Sequence, residues 1–344
     1  MRIAVDVMGG DFGAHVIVPG AIDAARTLGI GLALVGREAV VRKELAATKH
    51  DGIDVIVVDA ADVVEMSDHA VTAARRKPNS SMAVALRMVK DGSAGAMVSA
   101  GHSGAVMATA LLILGRVPGI ERPALASVMP TLSGRVLVLD LGAVTDPRAS
   151  HLVDFALMGS IYAHDVLGIP RPTVGLLSNG EEPGKGNQLV NEVHPLLARL
   201  EEIDFRGNIE GNHITKGVVD VVVTDGFTGN VTLKVAEGVA SLVTSALRQE
   251  VTRTFPRKIA ALTLRPAFNA LRKRFDYRES GGAPLLGING PTIVAHGRSD
   301  ERAIASAIRV AYQFASGDTI ARFAEIAGRR QAVLGGAAAE AVPT

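Results

Sequence analysis

Five valines in six residues, Val218, Val219, Val221, Val222 and Val223, broken only by Asp220, set the first constraint on this chain. An apolar run this continuous forms a strand only where both faces are covered, as in a parallel sheet between layers of helices. The sheet is therefore expected in the interior. The run ends in Thr224-Asp225-Gly226-Phe227-Thr228-Gly229-Asn230, and an amphipathic pattern starts at Val231. Small polar residues thus stand where a strand gives way to a helix, the edge at which open α/β sheets hold ligands.

The same junction occurs twice more. Ala94 to Ser99 is followed by Ala100-Gly101-His102-Ser103-Gly104-Ala105, and Thr173 to Leu177 leads into Ser178-Asn179-Gly180-Glu181-Glu182-Pro183-Gly184-Lys185-Gly186-Asn187. Glycine lets the backbone approach a ligand closely, and a helix start presents unpaired N–H groups, so each junction suits an anion. Each is also an ordinary connection in which glycine and asparagine serve turn geometry. Three junctions of one chemistry favour a shared site. Gly101-His102-Ser103-Gly104-Ala105 misses the G-x-S-x-G nucleophile elbow by one residue, and the Lys185 loop lacks the Walker spacing. No G-x-G-x-x-G occurs either, so ATP and dinucleotide fingerprints are both absent. Gly184-Lys185-Gly186-Asn187 at a helix start still suits a free phosphate, with the lysine as point charge and backbone amides as donors.

The rest of the chain alternates in kind. A strand at Ile3 to Val7 exits through Met8-Gly9-Gly10-Asp11-Phe12-Gly13 into a helix from Val16 to Leu28. A strand at Leu32 to Val35, a helix from Glu38 to Ala47 and a strand at Asp54 to Val58 complete a βαβαβ unit. Two helices between Asp68 and Lys90 are expected to break at Lys77-Pro78-Asn79, with Ser80 or Ser81 capping the second. Leu125 to Met129 and Val136 to Leu139 read as a hairpin, and Asp146-Pro147 as the start of a helix running from Ser150 to Val166. A helix from Val231 to about Arg253, a strand at Ile293 to Ala295 and a helix from Asp300 to Ala327 follow. This pattern predicts a three-layer α/β/α fold with a mostly parallel sheet, in one unit over residues 1–328, and a flexible tail over 329–344.

Between Val251 and Phe275 stand seven basic residues, Arg253, Arg257, Lys258, Arg265, Arg272, Lys273 and Arg274, and no acid. Leu264, Phe268, Leu271 and Phe275 recur there at helical spacing, so a projecting helix over about 251–276 would separate an apolar from a basic face. Such a helix can lie on an anionic membrane or grip an acidic partner. Equally, it is a packed helix with a solvated basic face. The formal charge of +1 over 344 residues argues against a global field for nucleic acid or membrane. With no cysteine there is no thiolate nucleophile, disulfide or cysteine-held metal, and no HExxH spacing occurs. No signal-peptide pattern opens the chain, and no run nears the ~18 apolar residues of a spanning helix.

Taken together, Val5-Asp6 with Met8-Gly9-Gly10-Asp11, the loops from Ser99 to Ala105 and Leu176 to Asn187, Leu139-Asp140-Leu141-Gly142-Ala143, Asp220 to Asn230, and Gly281 to Asn289 with Ala295-His296-Gly297 are similar to the bacterial phosphate acyltransferases of phospholipid synthesis. The similarity spans nearly the whole chain in motif order. The chain departs from the family's usual residues at His102, Val144-Thr145 and Asn212-His213. The resemblance implies a fold like that of phosphotransacetylases and isopropylmalate dehydrogenases. It implies transfer of a long fatty acyl group from acyl carrier protein to inorganic phosphate, without cofactor or metal, the acyl phosphate passing to a downstream acyltransferase. It also implies a cytoplasmic homodimer that touches an anionic membrane peripherally.

On that reading the nucleophile is the phosphate itself, and positioning and charge stabilisation remain for the protein. Lys185, Asn230 and His102 are expected at the chemistry. Gly10, Asp11, Ser103, Gly104, Asn179, Gly184, Gly186, Asn187, Asp225, Thr228 and Gly229 are expected to bind phosphate or substrate. His102 is as readily a helix-start histidine bonded to backbone. Arg257, Lys258, Arg265, Phe268, Leu271 and Arg272 are expected to meet the carrier protein or the membrane. Competing readings are a phosphotransacetylase using acyl-coenzyme A, a carrier-protein or membrane scaffold without turnover, and, by fold analogy alone, a nicotinamide-dependent dehydrogenase.

Overall fold

Strands and helices alternate along the computed structural model, which describes residues 1–263, 266, 268 and 281–328. The first elements are β1 (Arg2–Asp6), α1 (Ala14–Leu28), β2 (Gly31–Gly36), α2 (Glu38–Ala47), β3 (Val55–Asp59), α3 (Ala70–Arg76), α4 (Ser81–Lys90), β4 (Ala96–Ser99) and α5 (Ser103–Ile113). Next come β5 (Ala124–Pro130), β6 (Arg135–Leu139), α6 (Ala149–Asp165), β7 (Thr173–Leu177), α7 (Gln188–Leu197), β8 (Asp204–Ile209), α8 (Gly211–Lys216), β9 (Val221–Val223) and α9 (Gly226–Val251). After them stand α10 (Phe255–Thr263), β10 (Ala283–Leu286), β11 (Thr292–Val294) and α11 (Glu301–Ala315), with residues 319–328 helical.

Side-chain alternation along each strand builds the layers. On β1, Ile3 and Val5 join a core with Ile17, Ala21 and Ile22 of α1 and Ile304, Ile308 and Phe314 of α11. Ala4 points the other way, into a core with Met82 and Leu86 of α4 and Val106 and Ala110 of α5. On β9 the same rule sends Val221 and Val223 toward Phe155 and Tyr162 of α6, and Val222 toward Ile214 of α8 and Leu233 of α9. Helices therefore cover both faces, which is why these strands are apolar throughout.

The strand order is β3-β2-β1-β4-β11-β10-β5-β6-β9-β7-β8. Every pairing is parallel except β11 with β10, β10 with β5, and β5 with β6. Those antiparallel steps follow one another, so β6, β9, β7 and β8 run opposite to β1, β2, β3, β4 and β11. Strand exits consequently fall on two edges of the sheet. Met8–Gly13, Gly101–Ser103 and Ala295–Gly297 leave from the first. Residues 140–148, Ser178–Asn187, Glu210 and Thr224–Asp225 leave from the second.

Several boundaries differ from the sequence expectations, each for a local reason. Only Val221–Val223 is strand, and Val218 is 49% exposed. Gly217 closes α8 in the left-handed region, and the Asp220 carboxylate then accepts from the Thr173 N–H and hydroxyl, fixing the entry to β9. Helix α9 begins at Gly226 rather than Val231, because the Asp225 carboxylate caps it by accepting from Thr228 N at 2.8 Å. Ser80 occupies the cap position of α4 but makes no side-chain cap bond, and the start expected at Asp146-Pro147 falls at Ala149 behind Arg148. The helix expected over 300–327 breaks at Ser316-Gly317-Asp318. The motif from Gly281 to Asn289 contains β10, a strand that the sequence pattern does not mark and that pairs antiparallel with both β11 and β5. The tail over 329–344 and most of the basic segment beyond Thr263 lie outside the described residues.

Candidate functional site

On the second edge the strand exits are level. Asp140 N donates to Thr224 O at 3.1 Å, Thr224 N to Leu139 O at 2.8 Å, and Ser178 N to Ile209 O at 2.8 Å. Leu176 pairs with Val223, so continuing that register brings Ser178 opposite Asp225. Helices α6, α7, α8 and α9 all begin from these exits, so helix-start N–H groups lie there beside the carboxylates of Asp140, Glu181, Glu182, Glu210 and Asp225.

Asp140 organises the β6 exit. Its Oδ1 accepts from Leu125 N (2.9 Å), Gly142 N (3.2 Å) and Ala143 N (3.0 Å), and its Oδ2 from Val144 N (2.7 Å). Burial pushes its carboxyl above the ordinary carboxylate value, and the four N–H groups pull against that shift. The first turn of α9 lies on this loop. A Cβ at Gly229 would fall 1.9 Å from Asp140 O, so only glycine permits the approach. Asn230, exposed on the next helical position, stands over Gly142, where a Cβ would lie 3.7 Å from the asparagine Cβ. Asp225, Thr228, Gly229 and Asn230 are thus the cap and first turns of a helix, packed on the β6 exit.

The β7 exit carries the lysine. Lys185 N donates to Glu182 O, and Gly184 and Gly186 take φ of 94° and 101°, which turn the chain back into α7. The Lys185 stem folds over Gly180, and its ammonium, exposed, meets no ion-pair partner among the described residues. Asn187 caps α7, its Oδ1 accepting from Val190 N at 2.9 Å, which leaves its amide N–H groups for a ligand. Asn179, on the same loop, is exposed. Two contacts tie this loop to its neighbours, Asn208 Nδ2 donating to Glu182 O and His213 Nε2 lying 3.3 Å from Glu181, and His194 Nδ1 bonds Asn208 Oδ1 at 2.9 Å.

The first edge holds the other candidates. Buried Asp6 accepts from Ser99 Oγ at 2.6 Å and Met8 N at 3.1 Å, and burial raises its carboxyl. Asp11 N donates to Gly297 O, with Gly10 packed on Ala100 and Gly297. Ser103 and Gly104 are the first residues of α5, not a loop. His102 caps that helix: its Nδ1 accepts from Ala105 N at 3.3 Å, so in the neutral ring Nε2 carries the proton. The ladder directions therefore divide the three junctions. Lys185 and Asn187 share an edge with Asp225 to Asn230, while His102, Ser103, Gly104, Gly10 and Asp11 stand on the other.

Arg257 is exposed and pairs with Glu250 at 2.9 Å. Phe268 is partly buried, whereas Arg265, Leu271, Arg272 and the side chain of Lys258 lie outside the described residues. Among the described residues no group of three or more histidine, aspartate or glutamate side chains is placed to hold a metal. The sequence reading gave no role to Ser178, Thr224 or His194, because a single Ser, Thr or His at a strand or helix end carries no pattern. Asp140 lay inside a recognised motif, but its four N–H partners come from folding.

The fold and the helix-start edge define an α/β protein of the phosphotransacetylase architecture. A phosphotransacetylase from Streptococcus pyogenes superposes with a TM-score of 0.65 over 92% of this chain and 94% of its own, at 18% identity. Another from Staphylococcus aureus gives 0.61 over 92% and 94%, at 16% identity. The family described as fatty acid synthesis protein matches residues 1–322. The phosphate acyltransferase of Trichlorobacter lovleyi is 49% identical over 94% of this chain and 94% of its own length. That of Geobacter sulfurreducens is 47% identical over 94% of each. The chain belongs to this phosphate acyltransferase family, and it is an acyltransferase of fatty acid and lipid synthesis.

Proposed function

We propose that this protein transfers a long fatty acyl group from acyl carrier protein to inorganic phosphate at the second edge. The observation that carries this reading is the Lys185 ammonium, without an ion-pair partner among the described residues, on the same edge as Asn230 and among four helix starts. A phosphate oxygen attacks the thioester carbonyl, the C–O bond forms, the C–S bond breaks, and the carrier leaves as a thiol. Because a thiol has a pKa of ~8.5, it departs without a strong acid. Lys185 and the free amide of Asn187 hold the phosphate. Asn230 and Thr228, at the start of α9, orient it or meet the developing oxyanion.

Around that edge, the reading includes a homodimer, a basic segment near Arg257 that meets the acidic carrier protein or an anionic membrane, and one unit over residues 1–328. Among the described residues no helix is long and apolar enough to cross a membrane. His102 is read as the cap of α5, its observed bond.

The test is thiol release from palmitoyl carrier protein with and without inorganic phosphate, together with detection of acyl phosphate. Phosphate-dependent release with that product is expected, and Lys185→Ala should raise KM for phosphate at least tenfold without loss of fold. Faster turnover of acyl-coenzyme A than of the acyl carrier protein would instead favour the phosphotransacetylase reading. Release without phosphate would mean a hydrolase.

A further inference from the structure

Among the described residues, the buried side-chain atoms without a hydrogen-bond partner are Arg2 Nε, Asp165 Oδ2, Ser178 Oγ and Thr319 Oγ1. Arg2 and Asp165 are each bonded through another atom of the same group, to Asp54 and Arg322. Thr319, whose hydroxyl is likewise unbonded, opens the helix over residues 319–328 and follows no strand. Only Ser178 has its whole polar group unbonded and stands at the exit of a strand on the second edge. Leaving a buried hydroxyl unpaired costs roughly 1–3 kcal/mol, whereas alanine there would cost nothing of the kind.

The surroundings say what the hydroxyl faces. A Cβ at Gly186 would lie 3.1 Å from Ser178 Oγ, so the Gly186 backbone lies directly over it, one residue from Lys185. Gly186 sits there at φ 101°, between Gly184 at φ 94° and the cap Asn187. On the other side, the register places Ser178 opposite Asp225, at the start of α9. The hydroxyl is thus covered by the lysine turn, whose ammonium and α7 helix start favour an anion, while Asp225, opposite by continued register, is a carboxylate already committed to capping α9.

We propose that Ser178 is a phosphate-binding residue whose O–H donates to the anion held by Lys185, once the Gly184–Gly186 turn lifts from it. This rests on the reading of the Lys185 edge given above. The probe is inorganic phosphate, and the variants are Ser178→Ala, Ser178→Cys and Lys185→Ala. Ser178→Ala should raise KM for phosphate at least tenfold, keep KM for the acyl thioester within twofold, and leave the Tm without phosphate no lower than that of the parent. Phosphate should also raise its Tm less than it raises that of the parent. Ser178→Cys keeps the volume with a weak donor and carries the test if the alanine variant folds poorly. Unchanged phosphate KM in both Ser178 variants, with the expected rise in Lys185→Ala, would overturn this inference and leave the site reading standing. No effect in any of the three would overturn both. A lowered Tm with both KM values raised together would make the hydroxyl structural and also overturn it.

Discussion

At the scale of single residues, buried polar groups decide how the exits are held. His151 is 4% exposed, accepts from Arg148 N through Nδ1 and approaches Glu121 through Nε2 at 3.2 Å. Burial depresses its pKa below the ordinary 6.5, against the pull of Glu121. The unfolded chain therefore takes up a proton that the folded chain resists. Stability is complete above pH 6.5 and declines as pH falls from there through the folded value. Equilibrium urea unfolding between pH 7.5 and 5 should show that decline, and His151→Gln should reduce it. An identical decline in the variant would assign it to other groups.

Between elements, the contact that assembles the candidate site is α9 seated on the β6 exit. The seat exists because Gly226 and Gly229 have no side chain: Cβ atoms there would meet Asp140 Oδ2 at 2.6 Å and Asp140 O at 1.9 Å. Both obstacles belong to a carboxylate-braced turn that cannot yield cheaply. Gly229→Ala should therefore cost about 3 kcal/mol or more, the upper end of overpacking penalties, or displace Asn230 and remove activity. Urea midpoints with phosphate kinetics check this, and a variant equal to the parent in both would show that the turn gives way. The sequence pattern puts Gly229 in a loop, because the amphipathic periodicity begins only at Val231, five residues after the observed helix start at Gly226. The cap responsible, Asp225 on Thr228, is a signal that local reading can find.

Across the whole molecule, α9 carries an exposed apolar row that no described residue covers. Phe227, Val231, Val235, Val239, Val243 and Leu247 recur every fourth residue, each at least 38% exposed. Every residue from Ser241 to Glu250 is exposed as well. Rows at this spacing pack into the like rows of a second helix, which supports the proposed homodimer. Val235→Glu with Val243→Glu should convert the protein to monomers in sedimentation equilibrium, with an unfolding midpoint that is lower and no longer depends on protein concentration. A variant that stays dimeric would place the interface elsewhere. The continuous sheet also sets the limit on the three-junction expectation, since β10 and β5 reverse the strand direction between its halves.

The sequence by itself determined the interior sheet, the alternation of strands and helices, and the motifs that mark the family, because each follows from side chains near one another along the chain. Period-two strands with both faces apolar require helices on both sides, and Gly-Lys-Gly-Asn before a helix requires a turn at its start. Only the tertiary structure decided which exits stand together, since strand direction across β11-β10-β5-β6 depends on pairings between residues far apart in the chain. It also decided that Asp140 braces the seat of α9 and that Ser178 is enclosed beneath Gly186. Neither contact has a local pattern, because the partners meet only when the strands align.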